Sequence, residues 1–325
     1  MSAAKPVVRN MQFLPKHGVF LKETDKVEMK ATLVEITTRE NLRRAQAQCS
    51  RHITSIYFPF SIHTQIEKSF PESPVRVFVY PNLSHPKMFF MFKDNEFIKP
   101  TLALAQVSET SMNRLELIDL LHEFRTRVFG AKRQPHLVIA EEHLIKMYGV
   151  VMRLASSDWT NTDLRLSLFY MTETQKSLAL ATPLPSIPNG YYYDEIDPSE
   201  EAEIVNKTWK HAGAGDLEQT MAKLLRLPSS CIRLNGKPVA FEMVDPAGFF
   251  NNQFVFEDHR RKGLGNAVEM DLIHKTLKSG FSPFKTVSKD NKVVLDASMA
   301  NKLWTMWTDE DGNAKTVVFQ TWHCE

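Results

Sequence analysis

Residues 251–277 read NNQFVFEDHRRKGLGNAVEMDLIHKTL. A short apolar strand (Phe254, Val255, Phe256) runs into a charged turn, then into Arg260-Arg261-Lys262-Gly263-Leu264-Gly265, and a helix follows. Helical phase begins at once: Leu264, Val268 and Leu272 recur every fourth position, and Ala267, Met270, Ile273 and Leu277 fill the adjacent rows, giving a broad apolar face. Two glycines between a strand and a helix let backbone N–H groups approach a ligand closely. The N–H groups of a first helical turn have no acceptor within the helix, and the helix dipole adds positive potential there. Such a place binds phosphate. Arg260, Arg261 and Lys262, just upstream, strengthen the local positive field.

The kind of phosphate can be narrowed. No G-x-x-x-x-G-K-[ST] string is present, and in a G-x-G-x-x-G reading the third glycine would be Val268. The run from His259 to Lys262 taken alone also fits a solvated surface or a nucleic-acid patch. The adjoining Gly-Leu-Gly and the immediate helix favour instead the R-x-x-G-x-G cradle of the coenzyme A pyrophosphate, filled by Arg260, Gly263 and Gly265. This resembles motif A of the GNAT superfamily of acyl-CoA-dependent N-acyltransferases. Upstream, residues 227–248 read LPSSCIRLNGKPVAFEMVDPAG. Together these stretches resemble the acyltransferase domain of the glycine N-acyltransferase family, in its nematode-like branch, from about Tyr191 to the C-terminus. The N-terminal half resembles that family only in length and order of elements.

The resemblance implies a GNAT-type mixed sheet, in an α/β (α+β) domain whose strand before the cradle splays from the next. It implies acyl-CoA as a substrate, with the pantetheine paired along the backbone of Phe254, Val255 and Phe256. The pyrophosphate would lie on Arg260, Arg261, Lys262, Gly263, Leu264, Gly265 and Asn266. A small amine such as glycine would accept the acyl group, and no metal is called for.

A chain of 325 residues exceeds the usual size of a single core, so two domains are expected. Residues 182–189, TPLPSIPN, hold three prolines and cannot carry a helix. This places the boundary between 1–183, an N-terminal α/β domain, and 184–325, the acyltransferase domain. A degenerate GNAT-like copy is one option for the first, although no internal repeat is legible. A net charge of +2 argues against a bulk electrostatic binder of nucleic acid or membrane. The three cysteines, Cys49, Cys231 and Cys324, are widely spaced and read as reduced thiols. No apolar run reaches the length of a membrane span. An intracellular monomer, cytoplasmic or mitochondrial, is expected. Lys5, Arg9, Lys16 and Lys22 precede the first acidic residue, Glu23, which is faintly like a transit peptide, but a basic N-terminal arm is the reading favoured over it.

Along the chain, residues 1–30 have weak periodicity and suggest at most an edge strand. Thr38 caps a helix to Arg51. Strands are expected at 75–80, 88–92, 137–140 and 166–171, and helices at 112–128, with Ser111 as cap, and 141–154. His122, His136 and His143 sit among apolar residues and read as structural. In the second half, a strand at Tyr191 precedes a helix capped by Ser199 and a second helix over 217–225. Asn235-Gly236 is a strong hairpin signal, and Asp245-Pro246-Ala247-Gly248 a type I turn. A strand at 284–288, a helix at 296–304 and a closing hairpin over 308–322 complete the expectation.

Amide formation from a thioester needs a neutral amine, so a general base near the carbonyl helps. The resemblance places the family's glutamate at the first residue after Gly248, and here that residue is Phe249. Phenylalanine cannot accept a proton. If the turn pairs Asp245 with Gly248, Val244 faces Phe249, and Glu242 shares its sheet face one diagonal step away. Glu242 is then the surrogate base on geometry, and a solvated strand glutamate is the plainer alternative. Ser288, at the end of the next strand, is a candidate contact for the pantetheine arm or the leaving thiol. An acyl-CoA-binding protein that has lost catalysis is the competing expectation.

Overall fold

The computed structural model describes residues 32–108, 112–210 and 212–324. The basic arm and the edge strand considered for residues 1–30 lie outside the described residues. The N-terminal half comprises β1 (Val34–Ile36), α1 (Arg39–Cys49), α2 (Phe58–Glu67), β2 (Val75–Tyr80), β3 (Met88–Lys93), β4 (Thr101–Gln106), α3 (Arg114–Phe129), β5 (His136–Glu141), α4 (Glu142–Ala155), β6 (Trp159–Tyr170) and α5 (Glu173–Ala181). The C-terminal half comprises β7 (Tyr191–Asp194), α6 (Ala202–Lys207), α7 (Asp216–Arg226), β8 (Ser229–Leu234), β9 (Lys237–Val244), β10 (Phe250–Val255), α8 (Leu264–Lys278), β11 (Phe284–Ser288), α9 (Lys292–Ala300), β12 (Thr305–Met306) and β13 (Val317–Cys324). The two halves repeat one order: strand, two helices, three antiparallel strands, a crossover helix, a parallel strand and a further helix.

Local chemistry explains most of these elements. The Thr38 hydroxyl accepts from Asn41 N–H at 3.2 Å and caps α1. Asn235 and Gly236 both take positive φ (50° and 78°), the backbone a type I′ hairpin needs between β8 and β9. The cap of α3 is Asn113, not the expected Ser111, which lies outside the described residues. Asp197 Oδ1 accepts from the backbone of Ser199 and Glu200, so Asp197 closes a turn and Ser199 does not cap a helix; α6 begins only at Ala202. The last helix is Lys292–Ala300, starting four residues before the expected one because the Asn291 side chain caps it. The periodicity gave no warning of α2, whose sequence FPFSIHTQIE buries several sides at once and so shows no polar stripe.

All thirteen strands among the described residues join one sheet, ordered β1-β2-β3-β4-β5-β13-β6-β11-β10-β9-β8-β7, with β12 also on β6. The turn expected over 308–313 forms, with Thr308 bridged to Ala314, but the closing strand that follows does not continue it as a hairpin. β13 instead enters the N-terminal half, pairing with β5 along Val317–Trp322 and with β6 along Val317–Cys324. The end of β6, in turn, pairs with β11 from Leu166 to Tyr170, and β12 lies against its last two residues. Each half therefore completes its sheet with a strand of the other. The reason is burial: Val317, Val318 and Trp322 are nearly or fully inaccessible in their slot, where a two-strand hairpin would leave one face in water.

Candidate functional site

The site grows from the hairpin between β9 and β10. Gly248 N–H donates to Asp245 C=O at 2.6 Å, the expected turn. Asp245 N–H then donates to Phe249 C=O at 2.8 Å, with Gly248 at φ 91°. A turn followed by a left-handed glycine adds one residue to the loop. The register is thereby one step off the expected one: Val244 faces Phe250 and Met243 faces Asn251. Residues directly opposite share a face, so Phe249 is on the Asp245 and Asn251 face, and Glu242 is on the other. The shared face assumed for Glu242 and Phe249 is thus corrected, and the cause is the φ of a single glycine.

Downstream, β10 breaks its ladder with β9 between Asn251 and Phe254, where Asn252 takes φ 53°. The Asn252 side chain holds this bulge by donating to Val205 C=O at 3.0 Å. On its other edge β10 runs parallel to β11 and meets it at one position, Phe250 opposite Lys285. Beyond that point the two strands no longer pair, and the facing edges of their C-terminal ends are left open as a cleft-like gap. Phe256 N–H bonds back to Val239 C=O on β9 at 3.0 Å. Backbone direction alternates, so Val255 turns its N–H and C=O to the open edge, while Phe254 and Phe256 turn theirs to β9. The rings of Phe254 and Phe256 pack with Phe241, and the Arg260 guanidinium lies 5.9 Å from the Phe254 ring centre.

The loop of Arg260 to Gly263 stands at the mouth of this cleft. Arg260 Nε donates to Val255 C=O at 3.0 Å, and Lys262 Nζ to Asp258 C=O at 2.5 Å. Arg261 and Gly263 take positive φ (59° and 80°), which curls the backbone directly into α8. Gly263 is the N-cap residue of α8 and brings no side chain to its first-turn N–H groups. A Cβ on Gly263 would meet nothing within 4 Å, whereas one on Gly265 would lie 3.6 Å from Val255 Cγ2. Arg260, Arg261, Lys262, Gly263 and Asn266 are exposed, and Leu264 is buried under the loop as its anchor. The predicted cradle residues are therefore together, at the end of the strand predicted to guide the ligand.

The predicted catalytic residues are not together. Glu242 is buried on the α8 face and accepts from Gln253 Nε2 at 3.2 Å. Burial raises its pKa well above the ordinary 4.5, and the neighbouring Glu269 carboxylate adds to the rise. Glu269 itself pairs with Lys285 at 2.5 Å and accepts from Trp304 Nε1 at 3.1 Å. Glu242 thus belongs to a buried network behind the cleft. Ser288 lies on the Phe249 face, three residues beyond the last β10–β11 pairing position, and its Oγ accepts from Asp290 N–H at 3.3 Å. Phe249 packs edge to face against Tyr57 and Phe319, with ring centres 6.1 and 5.9 Å away, and at a tilt against Phe284 at 6.3 Å.

Sequence reading missed the groups around Asp245. Its carboxylate pairs with Lys223 Nζ of α7 at 2.9 Å, and Asn251 Nδ2 approaches it at 3.4 Å. Lys93, at the end of β3, is buried nearby, and desolvation lowers its pKa to about 8 although Asp245 pulls it upward. A lysine closing an apolar strand gives no sign in the sequence that it ends up beside a turn 150 residues away. The groups that read as structural histidines include His136, which is buried and joined to the Tyr148 hydroxyl at 2.8 Å. No group of His, Cys, Asp or Glu among the described residues could hold a metal ion, and no described helix is long and apolar enough to cross a membrane.

No family model matches the chain, and no curated protein matches it in sequence. Among solved structures the chain is similar to an X-ray structure of a Drosophila protein, with 12% identity and a TM-score of 0.68, covering 91% of this chain and 99% of that one. It is also similar to a tandem GNAT protein from the clavulanic acid biosynthesis pathway, with 12% identity and a TM-score of 0.53, covering 91% and 98%. The fold is thus that of tandem GNAT proteins, a mixed α/β sheet built from two like halves.

Proposed function

We propose that this chain is an acyl-CoA-dependent N-acyltransferase, and that its C-terminal half moves the acyl group from the thioester to the amine of glycine or a similar small amino acid. One observation carries the reading: β10 and β11 part at Phe250 and Lys285, and a glycine-capped helix N-terminus stands at the mouth of the gap. The first-turn N–H groups of α8 would take the pyrophosphate, with Arg260, Arg261 and Lys262 supplying charge and Asn266 at the rim. Val255 would pair with the pantetheine through its outward backbone. Ser288, at the mouth, would reach the pantetheine arm. In the transfer, the amine nitrogen attacks the thioester carbon, the thiolate leaves, and the amine loses a proton.

That proton is the difficulty. The Phe249 face carries an aromatic cluster where a carboxylate base would help, and Glu242 is turned away. Turnover should therefore rise with pH as the amine deprotonates unaided. The same observation favours a second reading, an acyl-CoA-binding protein whose catalysis is lost. Free-thiol release, screened over acyl-CoAs and amino acids, separates the two. CoA binding by calorimetry without thiol release leaves the binder; absence of CoA binding removes both readings.

A further inference from the structure

Three buried polar groups converge on Asp245 without a partner of their own. Lys93 Nζ forms no ion pair or hydrogen bond among the described residues, and Lys93 is 6% exposed. The hydroxyl of Tyr57, a residue 5% exposed, and Oδ1 of Asn251, 9% exposed, are likewise without a hydrogen-bond partner. Asp245 acts electrostatically on both Lys93 and Tyr57, and Asn251 contacts it directly. Its carboxylate is already committed to Lys223 and to the backbone N–H of Ala247 at 2.9 Å. Two ammonium groups thus share one carboxylate, leaving a surplus of one buried positive charge. A buried uncompensated cation is costly, and a chain gains from keeping it only if something else compensates it. Asn251 is the first β10 residue past the last pairing with β11, and the Tyr57 ring centre lies 6.1 Å from that of Phe249, just before β10, and 5.2 Å from that of Phe284, the first residue of β11, so the cluster sits at the joint where the two strands part.

We propose that Lys93, Tyr57 and Asn251 form a carboxylate-recognition site at the base of the cleft, so that the N-terminal half supplies the specificity-determining cation for the C-terminal half. Lys93 takes the carboxylate as a charge-assisted donor, the Tyr57 hydroxyl donates a second bond, and Asn251 Oδ1 accepts from the acceptor's nitrogen. The inference rests on the cleft being the acyl-acceptor site. It explains why the N-terminal half, with no phosphate loop of its own, remains wedged against the turn of Asp245.

The test compares glycine, glycinamide and acetate on the full chain and on Lys93→Met and Tyr57→Phe, with CoA calorimetry and thermal melting alongside. Lys93→Met should cut the preference for glycine over glycinamide by about 10- to 100-fold, the scale of one lost hydrogen bond to a charged group. CoA affinity should stay unchanged, and the melting temperature should rise because a lone buried charge has gone. Tyr57→Phe should cut the preference by roughly 3- to 10-fold. An unchanged preference in Lys93→Met, or a lowered melting temperature with it, would overturn the assignment and leave Lys93 a structural residue. If the wild type turns over no acceptor, the proposed reaction fails on its own, and calorimetry still decides. Glycine or acetate binding that Lys93→Met abolishes supports the site, acetate alone pointing to a free acid as its ligand. No carboxylate binding to the wild type overturns it.

Discussion

The two halves share a topology and differ at one joint. In the N-terminal half, β4 and β5 stay paired over Thr101, Leu102 and Ala103, which closes the sheet as far as Ala103. The helix that follows, α3, is capped by Asn113, whose Oδ1 takes the Leu115 N–H at 2.8 Å. In the C-terminal half, β10 and β11 pair at Phe250 alone, and Gly263 leaves the first turn of α8 uncapped by any side chain. One half satisfies its helix N-terminus with its own side chain; the other leaves its first turn without a side-chain cap. The closed half contributes burial, a strand slot for β13 and the residues Tyr57 and Lys93.

The strongest way to break this comparison is to remove the exchanged strand. Truncation after Ala314 deletes β13 and its buried Val317, Val318 and Trp322. Each such side chain contributes roughly 1.5–3 kcal/mol or more by burial, against a typical total of about 5–15 kcal/mol. The truncated chain should lose cooperative unfolding in circular dichroism. A sharp melt near the wild-type temperature would show that the halves do not depend on the exchange.

Next in size is the base position. Phe249→Glu restores a carboxylate on the face bearing Asn251 and should raise turnover by about 10²–10⁴-fold at neutral pH. The gain should shrink as pH rises. Unchanged activity with CoA still bound would mean that the aromatic cluster has remodelled the acceptor pocket itself.

Gly263→Val then tests the cradle against its counterpart. At φ 80° a branched side chain is strained, and it shields the first-turn N–H groups. CoA affinity should fall roughly 100-fold, about 3 kcal/mol. In the closed half, Asn113→Ala should cost about 1 kcal/mol of stability and leave CoA binding untouched. Equal CoA binding by wild type and Gly263→Val would remove the phosphate assignment.

The smallest effect belongs to Glu242→Gln. Burial, with the neighbouring Glu269 carboxylate adding to it, pushes its pKa up, so its folded pKa lies above the unfolded value. Stability from that group is full below the unfolded pKa and declines as pH rises toward the folded one. The glutamine variant should therefore be at least as stable as wild type at pH 7, and the difference should vanish near pH 4. Turnover should change less than about 3-fold, since a group behind the cleft is not the base. A turnover loss of 10²-fold would return Glu242 to the catalytic role that its sequence position suggested.

Local chemistry was legible in the sequence. The GLG turn before an amphipathic helix, the Asn235-Gly236 hairpin, the Phe284–Ser288 strand and the absence of a carboxylate at Phe249 all depend on neighbours within a few positions. So did the order of elements that marks the fold class. Tertiary structure alone decided the rest. The left-handed Gly248 shifted the hairpin register by one and moved Glu242 to the other face. The buried slot between β5 and β6 drew β13 out of its expected hairpin. Folding brought Lys223 into an ion pair with Asp245 and set Lys93 and Tyr57 within its electrostatic reach, from three distant segments. Register, strand partner and long-range electrostatics are properties of surfaces that meet only after folding, and no spacing along the chain encodes them.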